Sequence, residues 1–238
     1  MMQNNNKTLN TNFRKPERVF VWTNSRSLGT IFFKCLSFVP YTQIFYEPYS
    51  TAVQLGPERV IDSKNKYYKD AISRYESMKF DFSNLPSIDE TRFDSYTSTM
   101  ESVKKHIEAP VADGVQTIFC KELACMILNN LDQIPKGCRH AFLIRNPYRV
   151  LPSWKEMMRS MLRYSKDRME QVDFRDMPRH HVPAQYGYVE MLELFNYLKE
   201  QSNDAPIIID ADDLQNNTTS ILKQFLEHFG MPYQDSVV

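Results

Sequence analysis

Short runs of β-branched and aromatic residues recur along this chain, at 18–23, 43–46, 117–120, 140–144 and 206–210. Each has the length of a strand, and most are near-continuously apolar rather than alternating, the pattern of strands buried on both faces. Helical spacing follows most of them: at 28–37, from Cys120 to about residue 131, from Pro147, and at 220–229, where Gly230 and Pro232 supply the stop. A further amphipathic helix is predicted over 184–200, with Tyr188, Met191, Leu192, Phe195 and Leu198 on one face. Strands alternating with helices admit few architectures. A parallel sheet needs both faces covered, so the expected fold class is α/β: a three-layer α/β/α domain around a central parallel sheet of about five strands.

At 238 residues the chain is long enough to bury such a core without disulfides or metals. Residues 1–16 are polar and asparagine-rich and read as a disordered arm ending at Pro16, which leaves 17–238 as a single domain. Within it, 50–110 is mostly polar and aromatic, with helices predicted near 63–78 and 95–108 on either side of a loop at 84–87. Lysine plus arginine equals aspartate plus glutamate, 29 against 29. No global field therefore draws the protein to nucleic acid or an anionic membrane, and any anion site must be local. The scattered cysteines Cys35, Cys120, Cys125 and Cys138 read as buried thiols of a reducing compartment. With no signal-peptide pattern and no run of about 18 apolar residues, the expected location is cytoplasmic.

Ligands of a doubly wound sheet sit at the carboxyl ends of its strands, so the residues after each strand are the ones to inspect. The first strand is followed by Asn24, Ser25, Arg26, Ser27, Leu28, Gly29 and Thr30, a small-residue turn opening a helix. Such a turn aims backbone N–H groups and the positive helix end at a phosphate, and Arg26 adds a forked cation. The nucleoside-triphosphate pattern G-x-x-x-x-G-K followed by serine or threonine is absent: no lysine precedes the hydroxyl residue. Taken alone, the segment is equally well a plain strand-to-helix turn. After the fourth strand, Asn146 can cap a helix whose first position suits Pro147, leaving Arg145 at the strand tip. Ser153 lies about two helical turns further on, so its hydroxyl and the Arg145 guanidinium can meet on one phosphate if the helix bends at Pro152.

Together these segments carry a resemblance. FVWTNSRSLGT at 20–30 resembles the 5′-phosphosulfate loop of P-loop sulfotransferases, in the branch whose loop reads P-R-S-x-S-T. RNPYRVLPS at 145–153 is similar to their 3′-phosphate motif, and IIIDADDL at 207–214 with FLEHFGMP at 225–232 to their last strand and helix. The resemblance spans about 18–233 and implies a P-loop NTPase-like fold. It also implies that the donor is 3′-phosphoadenosine 5′-phosphosulfate (PAPS), with PAP as product and no metal, and that the acceptor is a small hydroxylated molecule. Arg26, Ser27, Leu28, Gly29 and Thr30 would hold the 5′-phosphosulfate, and Arg145 and Ser153 the 3′-phosphate. Two residues depart from the branch: Ser25 replaces its proline, and Gly29 its hydroxyl residue, which removes one donor to the phosphate.

Sulfuryl transfer needs a base at the acceptor hydroxyl and cations on the bridging oxygen. Arg26 and Lys121 are the candidate cations. Many sulfotransferases have K-T-H where this chain has Lys121, Glu122 and Leu123, so the histidine base is absent. Glu47, within Tyr46-Glu47-Pro48-Tyr49 after the second strand, matches a glutamate of the branch and is the candidate base, with burial expected to raise its pKa. A structural role pairing with a loop arginine is its alternative. Tyr46, Tyr49, Tyr67, Tyr68, Phe80 and Phe82 can line an acceptor site or simply pack, and His180 with His181 can edge it; no metal-ligand spacing accompanies them. No nucleic acid or membrane partner is expected, and a homodimer is compatible with the sequence. The competing readings are a PAP- or PAPS-binding protein with weak or no turnover and, disfavoured by the missing loop lysine, a small-molecule P-loop kinase.

Overall fold

The computed structural model describes residues 15–55, 99–162, 165–171, 173, 187–202 and 204–234. Strands β1 (Glu17–Thr23), β2 (Thr42–Tyr46), β3 (Thr117–Leu123), β4 (Arg139–Ile144) and β5 (Ile207–Asp210) form one sheet in the order β2-β3-β1-β4-β5. Every neighbouring pair is parallel. The α/β expectation holds, with the five strands where the apolar runs lie.

Alternation along each strand builds two cores. Val19 and Val21 of β1, Phe119 of β3, and Ala141 and Leu143 of β4 face one side, packed under α1 (Gly29–Leu36) and the C-terminal helices α7 (Ala211–Asn216) and α8 (Thr218–His228). Phe20, Trp22, Ile118, Cys120 and Phe142 face the other, under α2 (Pro48–Leu55), α3 (Met100–Glu108) and α6 (Tyr188–Gln201). The remaining helices are α4 (Pro147–Leu162) and α5 (Lys166–Glu170). Helices on both faces give the predicted three layers.

Local chemistry sets the ends of these elements. Thr99 and Ser102 form a reciprocal capping box at the start of α3, whose buried stripe is Met100, Val103 and Ile107. At its other end the buried Arg18 donates to the Ile107 and Ala109 carbonyls at 2.8 and 2.9 Å, placing a cation at the negative helix end. Asn146 Oδ1 accepts from the Tyr148 amide at 2.9 Å and caps α4, as expected, and α4 runs through Pro152 as one element.

Two expectations need correction. The helix predicted from Cys120 to about 131 does not form: β3 continues to Leu123, and two 3₁₀ segments follow, Ala124–Met126 and Leu128–Gln133, the second broken at Asn130 (φ −143°, ψ 50°). On α6 the buried positions are Met191, Leu194 and Leu198, whereas Leu192 is 61% exposed. The helix predicted over 220–229 forms as α8, and a further short helix, α7, capped by Asp210, precedes it. The arm at 1–14, the helix at 63–78, Tyr67, Tyr68, Phe80, Phe82, His180 and His181 lie outside the described residues. All four cysteines are free thiols, and burial raises Cys125 and Cys138 to about 12, so neither is a ready nucleophile.

Candidate functional site

The strand order reverses around β1. Its chain leaves through α1 toward β2 on one side, while β4 continues to β5 on the other, so the crevice of a doubly wound sheet opens at the carboxyl ends of β1 and β4. The loop from Asn24 to Leu28 lies there. Arg26 and Leu28 both have left-handed backbone, φ 66° and 65°. Non-glycine residues held in this region turn neighbouring N–H groups to one side, forming an anion-binding concavity at the start of α1. Leu28 caps α1 without a side-chain hydrogen bond, so no side chain of the cap competes for the first-turn amides. The Ser27 hydroxyl is buried and donates to the Asn24 carbonyl at 2.8 Å, which braces the turn and leaves the residue's amide as its contribution to a ligand. Thr30 is exposed, with its hydroxyl 2.7 Å from that of Tyr46.

Beneath this loop runs Lys121. Register pairs it with Tyr46 on β2 and Val21 on β1, two residues before β3 ends at Leu123, so it rises from the sheet and not from a loop. Its side chain passes so close to α1 that a Cβ on Gly29 would stand 2.9 Å from Lys121 Cε. The ammonium ion-pairs with Glu47 Oε1 and lies 5.0 Å from the Tyr46 ring centroid. Only 5% of the Lys121 side chain is exposed. Burial disfavours its charge, but Glu47 and the neighbouring Tyr46 outweigh burial and hold the pKa above the ordinary lysine value. Glu47 itself has left-handed backbone, φ 50°, and its amide donates to the Lys121 carbonyl at 2.8 Å. The turn after β2 is thus tied to β3 twice.

On the β4 side, Arg145 Nη1 donates to the Arg26 carbonyl at 3.1 Å, and Tyr188 of α6 donates to the Arg145 carbonyl at 2.6 Å. Arg26 Nε donates to Ser153 Oγ at 3.0 Å. The structure therefore brings Arg26, Arg145 and Ser153 together, with Arg26 between the two motifs. Arg145 Nε is buried without a hydrogen bond, as is Asp212 Oδ1, 3.8 Å away at the start of α7. A buried guanidinium N–H without an acceptor is costly, so this edge of Arg145 is suited to an incoming anion.

No family model and no curated protein matches the sequence. Solved structures do. The sulfotransferase domain from the curacin biosynthetic pathway is 14% identical, over 94% of this chain and 77% of that one, with a TM-score of 0.53. The sulfotransferase from Alicyclobacillus acidocaldarius is 13% identical, over 94% and 86%, also at 0.53. The sulfotransferase domain of the Synechococcus PCC 7002 olefin synthase is 12% identical, over 95% and 78%, at 0.52. The chain has the sulfotransferase fold.

In this sulfotransferase fold burial raises the carboxylate of Glu122, the residue after Lys121 on β3. Glu122 is fully buried; desolvation first, then the Glu47 charge, push it up to about 7 against the pull of its hydrogen bonds. Those bonds come from the amides of Tyr49 (2.6 Å), Ser50 (3.0 Å) and Leu123 (2.7 Å) and from the Ser50 hydroxyl. Two of the amides belong to the first turn of α2, so Glu122 caps that helix and anchors the turn bearing Glu47. With its oxygens filled it cannot face an acceptor. Tyr49 is core, its hydroxyl donating to the Gln133 carbonyl at 2.6 Å. Sequence reading noticed Glu122 only as the middle residue of Lys121-Glu122-Leu123, a stretch lacking a histidine; a charged residue directly after an apolar strand run gave no sign that the strand continued. Among the described residues no three metal-ligating side chains cluster, and no helix is long and apolar enough to cross a membrane.

Proposed function

We propose that the protein transfers a sulfuryl group from PAPS to a hydroxyl of a small acceptor, without a metal. One observation carries the reading: Lys121 lies under the α1 loop and is paired with Glu47, which puts a cation and a carboxylate at the same crevice as the Arg26–Ser153–Arg145 group. The residues fit the donor. Loop amides and Thr30 suit the 5′-phosphosulfate, while Arg145 and Ser153, with a buried N–H to spare, suit a 3′-phosphate. Bound there, PAPS supplies the sulfuryl group. Glu47 accepts the proton of the acceptor hydroxyl as its oxygen bonds to sulfur. Lys121 and Arg26 stabilise the charge that gathers on the bridging oxygen as the sulfur–oxygen bond breaks and PAP departs. For that, Lys121 must turn from Glu47 toward the donor, which also frees the carboxylate to act as base.

The ion pair between Glu47 and Lys121 equally suits a nucleotide binder in which base and cation neutralise each other, without turnover. Calorimetric titration with PAP and with ADP, without metal, tests the binding step common to both readings. Wild type should prefer PAP, and Arg145→Ala should lose about ten- to hundredfold on PAP while ADP changes little, the range for a charge-assisted contact. Equal affinities for the two nucleotides in wild type would sink the 3′-phosphate site. Glu47→Gln should then keep PAP binding and lose sulfate transfer in an acceptor screen; full turnover in that variant removes Glu47 from the base role. PAP binding with no turnover by wild type across the screen selects the binder.

A further inference from the structure

Arg149 stands one turn before Ser153 on α4, and Met157 one turn after it. Arg26 reaches this same stripe, donating to Ser153 Oγ and lying 3.9 Å from Met157 Sδ. Arg149 lies inside the 145–153 segment, but the resemblance assigns it no role. In the structure its Nε is 3.4 Å from Asp212 Oδ2, while Arg145 Nε faces the other oxygen of the same carboxylate at 3.8 Å. Among the described residues Asp212 is the only carboxylate within 4.0 Å of either guanidinium.

We propose that Arg149 is a second guanidinium for the 3′-phosphate of the nucleotide, held at the site by the carboxylate it shares with Arg145. The inference rests on the PAP-binding reading above and deepens it. A phosphate monoester at neutral pH carries nearly two negative charges and three acceptor oxygens, more than one guanidinium fork satisfies. Asp212 spaces the two guanidiniums by holding one on each oxygen, and it does so loosely. The Arg145 contact is too long for a hydrogen bond, and both its atoms are buried and unbonded. Neither contact consumes the outer nitrogens of Arg149, whose side chain is 58% exposed and free to swing toward a ligand. A nucleoside diphosphate lacks the 3′-phosphate, so Arg149 acts on the choice between PAP and ADP and not on adenosine nucleotides in general.

The test is calorimetric titration of wild type, Arg149→Gln, Arg149→Lys and Arg145→Ala with PAP and with ADP, beside a thermal melt of each. Arg149→Gln should bind PAP about tenfold more weakly and ADP unchanged, with Arg149→Lys between, since lysine keeps the charge without the planar fork. If wild type shows no preference for PAP, the PAP reading falls and this inference with it. If wild type prefers PAP, Arg145→Ala loses the preference and Arg149→Gln keeps it, the inference falls alone. An Arg149→Gln variant whose only change is a lower melting temperature marks the Arg149–Asp212 contact as an ordinary surface ion pair and also overturns it.

Discussion

Replacing Gly29 by alanine should destabilise the protein, although the substitution lies in the first turn of a helix, where alanine is the better residue. Among the described residues the glycines with positive φ are Gly114, Gly137, Gly187 and Gly230; Gly29 is not one of them, so its backbone does not require glycine. Its need is steric: an added Cβ would meet Lys121 Cε at 2.9 Å and Thr23 Cγ2 at 3.3 Å. Thr23 is fully buried in β1, and Lys121 is pinned by its ion pair with Glu47, so neither neighbour is a loose side-chain end that can step aside. Overpacking of this kind costs about 1–3 kcal/mol, and the helical preference of alanine over glycine returns at most about 1 kcal/mol. A net loss of up to about 2 kcal/mol should appear as a lower urea midpoint with an unchanged slope. The double-mutant cycle decides the cause. In a Lys121→Ala background the same Gly29→Ala change should become neutral or stabilising, giving a coupling of about 1–2 kcal/mol. A stabilised single variant, or an equal loss in both backgrounds, would refute the claim that Lys121 excludes a side chain at position 29.

Two further predictions concern pH. His140 accepts from Trp22 Nε1 at 3.2 Å, and burial, opposed weakly by Asp204, lowers it to about 4. Its stabilising effect is therefore complete above the unfolded value near 6.5 and is lost as pH falls from there through 4; the full span is worth about 3 kcal/mol, trimmed to about 2 because the ring is partly exposed. Between pH 7 and pH 5 wild type should lose stability relative to His140→Gln, which keeps an acceptor for Trp22, and parallel urea midpoints would remove His140 as the cause. Glu122 has the opposite sign: raised to about 7, it contributes stability that is complete below about 4.5 and lost as pH rises through 7. From pH 5 to pH 8 wild type should lose about 2–3 kcal/mol relative to Glu122→Gln, and identical pH dependence in the two proteins would show that Glu122 stays ionised in the fold.

The sheet was legible because each strand announces itself by an apolar run, and strands alternating with helices force a parallel order. Where sequence reading failed, the cause was a charged or short element whose state is set by distant partners. Cys120 closes an apolar run, yet β3 carries Lys121 and Glu122 three residues further, since β1 still pairs with it and the α2 amides satisfy the buried carboxylate. Apolar spacing at Leu123, Ile127 and Leu131 imitates a helix, but Leu123 ends β3, and the 3₁₀ turns after it hold Ile127 buried and Leu131 partly buried against the core. The residues of the two phosphate motifs were legible as a pattern, whereas the Arg26–Ser153 bond spans 127 positions and the tie through Asp212 joins α4 to α7, separations no local signal reports.

Gly29 shows how a departure from a motif can be misread without its neighbours. In sequence, glycine in place of a hydroxyl residue removes a donor and suggests a weaker anion site. In the fold, the missing side chain is what lets Lys121 reach the loop from the sheet below. A P-loop of the nucleoside-triphosphate kind carries its lysine within the loop, next to the hydroxyl residue. Here the loop has no lysine, and the cation arrives through strand register, since β3 lies beside β1 and places position 121 opposite Val21, two residues before β1 ends. A lysine supplied this way is held by the sheet and by Glu47 before any ligand arrives, so its position does not depend on the loop closing. The missing side chain at Gly29 and the buried ammonium are then one packing unit, and the Gly29–Lys121 cycle measures their coupling.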